Sequence, residues 1–281
     1  MTPTYSVSSL WRYPVKSMAG EKLDAVRVTA RGLRGDRAYA LVDTVTGKVG
    51  SAKSVRRFGD LLKCRAQFVR PPESDDRMPA VRITLPDGAV VESGEPGAVA
   101  KLHAAFGPQL SLVTTAPAGL MLEFAAGTLS GKHAETTAIP VAGAAAPGTL
   151  FDYASVHVVT TATLARLQVA YPDGQFTVER FRPNIVVDCP DETGFVENSW
   201  TGRTLAIGSE VVLRVSIPCP RCVMTTLPRA DLPLDPRILR TIAEQNRLDL
   251  GDFGHLPCAG VYADIVQPGT LRLGDRVHVG D

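Results

Sequence analysis

Apolar and polar residues alternate along residues 25–29 and 37–43, the period-2 pattern of half-buried strands. Thr44 to Gly47 supplies a turn into a further strand over 48–52. The alternation continues over 61–69 and 81–85, and a Pro86-Asp87-Gly88 turn leads into 89–92. Residues 97–106 place Val99, Leu102 and Phe106 on one face at helical spacing, and 110–114 reads as a closing strand. Residues 116–148 hold Ala, Gly and Pro with little period, which predicts a connection between domains plus a site-sized loop, and a boundary near 115–130.

The second half opens with a strand over 156–160 running into a helix over 161–171, with a threonine as N-cap. A short buried strand over 182–188 follows. Residues 204–211 and 270–277 resemble each other, each a strand, a Gly-centred corner and another strand, which suits the corners of a closed β-barrel. Asp235 and Pro236 open a helix reaching Asn246, with Ile238, Leu239 and Ile242 inward. The fold class is mainly β with some α (α+β), divided into an N-terminal domain over 1–120 and a C-terminal domain over 121–281.

The 281-residue length suits two such domains, and 21% charged with 44% hydrophobic residues excludes wholesale disorder. Thirty Lys and Arg against 29 Asp and Glu leave +1, so nucleic acid is not expected as a partner. No membrane span is expected, and Arg12 and Lys16 interrupt the apolar core a secretion signal needs, so the expected location is cytoplasmic.

Cys64, Cys189, Cys219, Cys222 and Cys258 are an odd number over a long chain, which is no disulfide framework. Cys219-Pro220-Arg221-Cys222 is the sharpest chemical signal. It admits a zinc ribbon, although no second pair stands at zinc-binding spacing; a thioredoxin-type dithiol, although no βαβ unit surrounds it; or one thiolate beside Arg221 acting as a soft metal ligand or nucleophile. Two loop cysteines without a role fit the spacing equally. Three further segments present donors without bulk, as an anionic group requires: Lys16 and Ser17 after a proline turn, Arg37 in a glycine loop, and Arg182 and Asn184 at the mouth of a strand. Each alone also reads as a solvated turn, and His157 reads as a satisfied core residue. There is no dinucleotide or Walker loop, no GxSxG and no HExxH.

Taken in order, YPVKS, GDR before a strand, FRPNIVV, and RC followed by TT resemble the MOSC family. They are most similar to the branch with an added N-terminal β-barrel domain, which includes the amidoxime reducing components. The resemblance spans nearly the whole chain. It implies a C-terminal MOSC β-barrel and a molybdenum cofactor (molybdopterin) lying between the two domains. It implies that Cys222 ligates the metal and that Cys219 does not. Lys16, Ser17 and Arg37 match cofactor-holding residues of the N-terminal domain, and Arg182 and Asn184 match the RPN motif. Thr160 and Thr161 match a segment contacting the pterin, and Tyr262 an aromatic near the pocket. Arg221, beside Cys222, would favour its thiolate.

The implied reaction is reduction of the N–O bond in small N-hydroxylated molecules. No cluster of four cysteines could hold an iron–sulfur centre, so a separate electron-transfer protein of ferredoxin or flavin type would supply electrons. After the RC the family's acidic stretch is replaced by Thr225 to Asp231. Two alternatives share the site: a sulfur-transfer protein using a Cys222 persulfide, and a molybdenum cofactor carrier.

Overall fold

The computed structural model describes residues 5–125, 136–229 and 231–281. It is mostly β. Seven strands close a barrel in the order Val156–Thr160, Ile185–Asp188, Tyr5–Arg12, Arg276–Gly280, Thr204–Ile207, Val211–Pro220 and His255–Gln267, the last pairing back onto the first. Closure leaves no strand edge in the ring. Val7, Val158, Val187, Leu205, Leu213, Val261 and Val277 fill its interior, on strands that alternate or run wholly buried.

The Tyr5–Arg12 strand is supplied by the start of the chain, ahead of the N-terminal unit, yet it lies between Ile185–Asp188 and Arg276–Gly280. The chain then leaves the barrel and builds the first unit from small sheets, including Arg65–Phe68 with Val81–Thr84 and Val90–Glu92, and Ala40–Asp43 with Leu110–Val113. These pack around Met18, Leu41, Leu61, Phe68, Ile83 and Leu102.

Several expected elements shift for local reasons. The strand over 37–43 begins only at Ala40, because Arg37 takes a left-handed backbone (φ 46°) incompatible with a strand. Residues 48–52 make isolated bridges at Lys48 and Val49 rather than a strand, and 61–69 starts as a 3₁₀ turn, Gly59–Lys63. Within the loose 116–148 stretch, Met121–Ala125 pairs with Thr136–Pro140 as a hairpin; residues 126–135 lie outside those described. The two similar corners also diverge. The first is a hairpin onto Val211–Pro220, whereas Gly269–Arg272 leaves the barrel to pair with Ala25–Thr29, tying the second unit to the first. Among the described residues no helix is long and apolar enough to cross a membrane.

Candidate functional site

One cavity of about 580 Å³ lies between the units, lined by residues of both. Four non-glycine residues among those described have a positive φ: Ser17 (65°), Arg37 (46°), Ala142 (70°) and Arg182 (57°). Three of the four line the cavity. Such backbones are costly and persist only where neighbours hold them. Here Lys16 and Arg37 donate backbone N–H groups to the carbonyls of Tyr39 and Tyr13, each at 2.8 Å. The Ala52 N–H donates to Ser17 Oγ at 3.1 Å. Arg182 closes the Val178–Phe181 turn with its N–H on the Val178 carbonyl, and its guanidinium donates to the Met18 carbonyl across the interface.

Asp36 ties these turns together. Its buried carboxylate accepts from Tyr13 N (2.8 Å) and Asn184 Nδ2 (2.8 Å) and pairs with Arg37. The Arg37 and Arg182 guanidinium groups stand 4.4 and 4.3 Å from the Tyr13 ring centroid, where cation–π attraction offsets part of their mutual repulsion. Burial, with Arg37 second, lowers Arg182 to about 10, which leaves it charged at neutral pH.

Asp152 joins the units a second time. One carboxylate oxygen takes the Lys16 ammonium and the other takes Lys53 at 2.8 Å. Lys16 is only 4% exposed and also donates to the Leu150 carbonyl at 2.6 Å. Burial would raise the Asp152 carboxyl, but the two ammonium groups, Lys16 ahead of Lys53, hold it well below the usual range.

The cysteine pair is split by strand geometry. Cys219 and Arg221 are two residues apart in nearly extended chain and share a side, so Arg221 Nη1 donates to the buried Cys219 Sγ at 2.9 Å. Cys222 is half-buried and lines the cavity. Arg221 is therefore directed at Cys219 rather than at Cys222 as the sequence suggested. Its other nitrogen donates to the Phe181 carbonyl at 2.7 Å, and its Nε is buried without a partner among the described residues.

Of the expected residues, Lys16, Ser17, Arg37, Arg182, Asn184, Arg221, Cys222 and Tyr262 line the cavity. Thr160 and Thr161 do not. Thr160 caps the Thr161–Ala170 helix through the Thr163 N–H and donates to buried Glu197 at 2.6 Å, and Thr161 donates to Asp188 at 3.0 Å. Their hydroxyls are spent on holding the helix against the barrel.

The sequence did not single out Lys53, Asp152, Tyr153, Arg247 or Phe253, all of which line the cavity. Each comes from a segment without a motif, and only the fold brings them together. His157 is buried as expected, but it also faces the cavity, with its Nε2 3.4 Å from Arg221 Nη1. Burial first, then Arg221, depresses its imidazole well below the ordinary value, so the ring is neutral. A depressed histidine stabilises the fold fully above the unfolded value near 6.5 and less as pH falls below it. Wild-type stability should decline as pH falls below about 6.5, by at most about 1.4 kcal/mol per pH unit from this one group. His157→Asn should flatten that slope in urea melts run across this window.

Gly260 is required beside it. Its φ is +81°, and a Cβ there would overlap the His157 imidazole. Gly260→Ala should cost at least about 2 kcal/mol by thermal unfolding.

Seven cationic side chains line the cavity, Lys16, Arg37 and Lys53 from the first unit and Arg180, Arg182, Arg221 and Arg247 from the second, against the single carboxylate of Asp152. Arg180 is already engaged by the carbonyls of Gln175, Thr225 and Pro233. The remaining excess of positive charge, most of it desolvated, calls for an anionic occupant. No group of three or more His, Cys, Asp or Glu gathers to hold a metal ion among the described residues. A metal bound by Cys222 would therefore bring its other ligands with it, and a soft thiolate beside an anion cradle fits a metal carried on an organic anion.

This barrel, entered by the first strand and joined to a small β unit over a cationic cavity, has a match among known domains. A MOSC domain model matches residues 146–278, and a MOSC N-terminal beta barrel domain model matches residues 4–68. The chain belongs to the MOSC family and carries that family's N-terminal barrel domain. Mitochondrial amidoxime reducing component 2 of Bos taurus is 26% identical over 97% of this chain and 82% of that protein. Mitochondrial amidoxime-reducing component 1 of Homo sapiens is 26% identical over 98% of this chain and 82% of that protein. The human component 2 is 33% identical over 45% of this chain, a stretch spanning 37% of that relative's length. Among solved structures, the YUAD protein from Bacillus subtilis aligns with a TM-score of 0.47 at 13% identity, over 98% of this chain and 95% of that one.

Proposed function

We propose that the protein is a molybdenum cofactor-dependent oxidoreductase that reduces N-hydroxylated small molecules with electrons from a separate protein. The observation carrying this reading is the desolvated cationic cavity with Cys222 on its wall. The amidoxime reducing components align across nearly the full chain, which supports the reaction class. Lys16, Ser17, Arg37, Arg182 and Asn184 would hold the anionic pterin, and Cys222 would ligate the metal. The cofactor would supply two-electron redox chemistry at the metal.

The residues of this chain bind, orient and exclude water. Arg182 and Arg37 are held against Tyr13, so they would meet an anion without reorganising. The Lys16–Asp152–Lys53 bridge holds two ammonium groups at the cavity wall, and reduction of an N–O bond would consume two protons and release water. A dithiol mechanism using both cysteines is poorly served, since Cys219 is fully buried and Cys222 is not.

Metal analysis of protein made in a molybdenum-replete host, together with benzamidoxime reduction driven by reduced viologen, tests the proposal. The expected result is near-stoichiometric molybdenum with turnover. Molybdenum without turnover would favour a cofactor carrier, and cyanide-labile sulfur without molybdenum would favour sulfur transfer.

A further inference from the structure

The cationic inner cavity leaves its outer wall unexplained. Four rings run along that wall from solvent inward: Phe253, Tyr153, Tyr262 and His157, with successive centroids 5.9, 5.7 and 5.8 Å apart. Exposure falls along the file from 57% at Phe253 to 5% at His157. Phe253 sits at the tip of the hairpin joining Arg247–Asp249 to His255–Gln267, between Gly251 and Gly254, both with positive φ. A large apolar ring so exposed has no packing role that would account for it.

The same hairpin carries Arg247, whose side chain is exposed, lines the cavity and enters none of the ion pairs formed among the described residues. Lys16 and Lys53 face Asp152, Arg37 and Arg182 face the turns between the units, and Arg180 and Arg221 donate to carbonyls of the second unit, whereas Arg247 lies on the exposed hairpin. Rings set edge-on or tilted to one another beside a lone cation offer both a face and an edge to a flat π-system that carries a negative charge at its outer end.

We propose that the outer cavity is the substrate subsite and that it selects planar aromatic compounds bearing an anionic substituent. Their rings pack on the face of one of Phe253 and Tyr153 and against the edge of the other, the anion meets Arg247, and the reducible group points inward toward Cys222. This rests on the reductase reading for the word substrate, but not for the binding site itself. Phe253 and Arg247 act as specificity-determining residues. Neither belongs to the groups that hold the cofactor, and both are exposed, so their replacement leaves the fold intact.

The test uses the cofactor-loaded, full-length protein and has a kinetic and a binding arm. In the first, benzamidoxime, 4-carboxybenzamidoxime and acetamidoxime are reduced with a viologen donor. The carboxylated compound should show a KM about fourfold below that of benzamidoxime at low ionic strength, and the preference should shrink with added salt. Arg247→Ala should abolish the preference and Arg247→Glu should reverse it. Phe253→Ala should raise KM about fivefold for both aromatic compounds and leave acetamidoxime unaffected.

In the second arm, calorimetry measures binding of 4-carbamoylbenzoate and benzamide, which carry no N–O bond. Tighter binding of the carboxylate that is lost in Arg247→Ala supports the subsite, whether or not any N-hydroxy compound is turned over. Equal binding of the two compounds to wild type and Arg247→Ala overturns it, even if reduction is observed. Absence of turnover with Arg247-dependent binding retained would refute the reductase reading alone.

Discussion

Replacing Cys222 by serine is expected to strip molybdenum from the protein and lower N-hydroxy reduction by at least about 100-fold while leaving the fold unchanged. A serine hydroxyl stays protonated at neutral pH and is a hard donor, so it cannot replace a soft, charged thiolate on the metal. The Cys222 side chain is half-buried and sits outside the barrel core. Its exchange for serine should move the melting temperature by less than about 2 °C. The contrasting variant is Cys219→Ser. That sulfur is fully buried and accepts from Arg221, so the change should fall on stability, with metal retained by the protein that folds. Metal content and thermal melts measured together on both variants separate the two sulfurs. Full activity in Cys222→Ser would remove the proposed ligand.

The largest effect on stability is expected at Asp36. Removing its carboxylate in Asp36→Ala would orphan the Tyr13 N–H, leave Asn184 Nδ2 with only a 3.4 Å bond to the Trp11 carbonyl, and leave Arg37, already close to Arg182, without its counter-charge. Breaking a buried pair this way costs about 3–5 kcal/mol. Asp36→Asn keeps one acceptor oxygen but loses the charge, so it should fall between the two. Urea unfolding of the three proteins checks the order, and near-wild-type stability in Asp36→Ala would show that the hub is dispensable. The effect should extend to ligand binding, because Tyr13, Arg37 and Asn184 are oriented through this one carboxylate.

The sequence made the strands legible where one face is buried: Ala25–Thr29 and Val156–Thr160 appear at the predicted bounds. It also made legible the motifs whose short turns place donors at fixed spacing, Lys16 with Ser17, Arg37, and Arg182 with Asn184. The left-handed backbones at Ser17, Arg37 and Arg182 were hidden, because nothing in a non-glycine residue type announces a positive φ that only the surrounding fold enforces. Thr160 and Thr161 were misplaced since a threonine pair at a strand end serves equally as a helix cap, and here Glu197 and Asp188 take the hydroxyls. Lys53, Asp152 and Phe253 carry no local signature, and their roles arise from long-range packing. The near-neutral total of +1 concealed the cavity's excess of positive charge, because acidic residues elsewhere on the chain balance it.

The Tyr5–Arg12 strand has a consequence for how the chain is made. Two of its partners, Ile185–Asp188 and Arg276–Gly280, leave the ribosome some 180 and 270 residues later, so beyond the short pairing of Leu10–Arg12 with Glu21–Leu23 the strand must wait for them before its hydrogen bonds are met. In the interval the N-terminal unit can form around its own core while the Tyr5–Ser9 part of this strand stays unpaired, a site for chaperone capture or for pairing between nascent chains. Ring closure is then a late event, and the cavity, whose walls come from both units, comes into being with it.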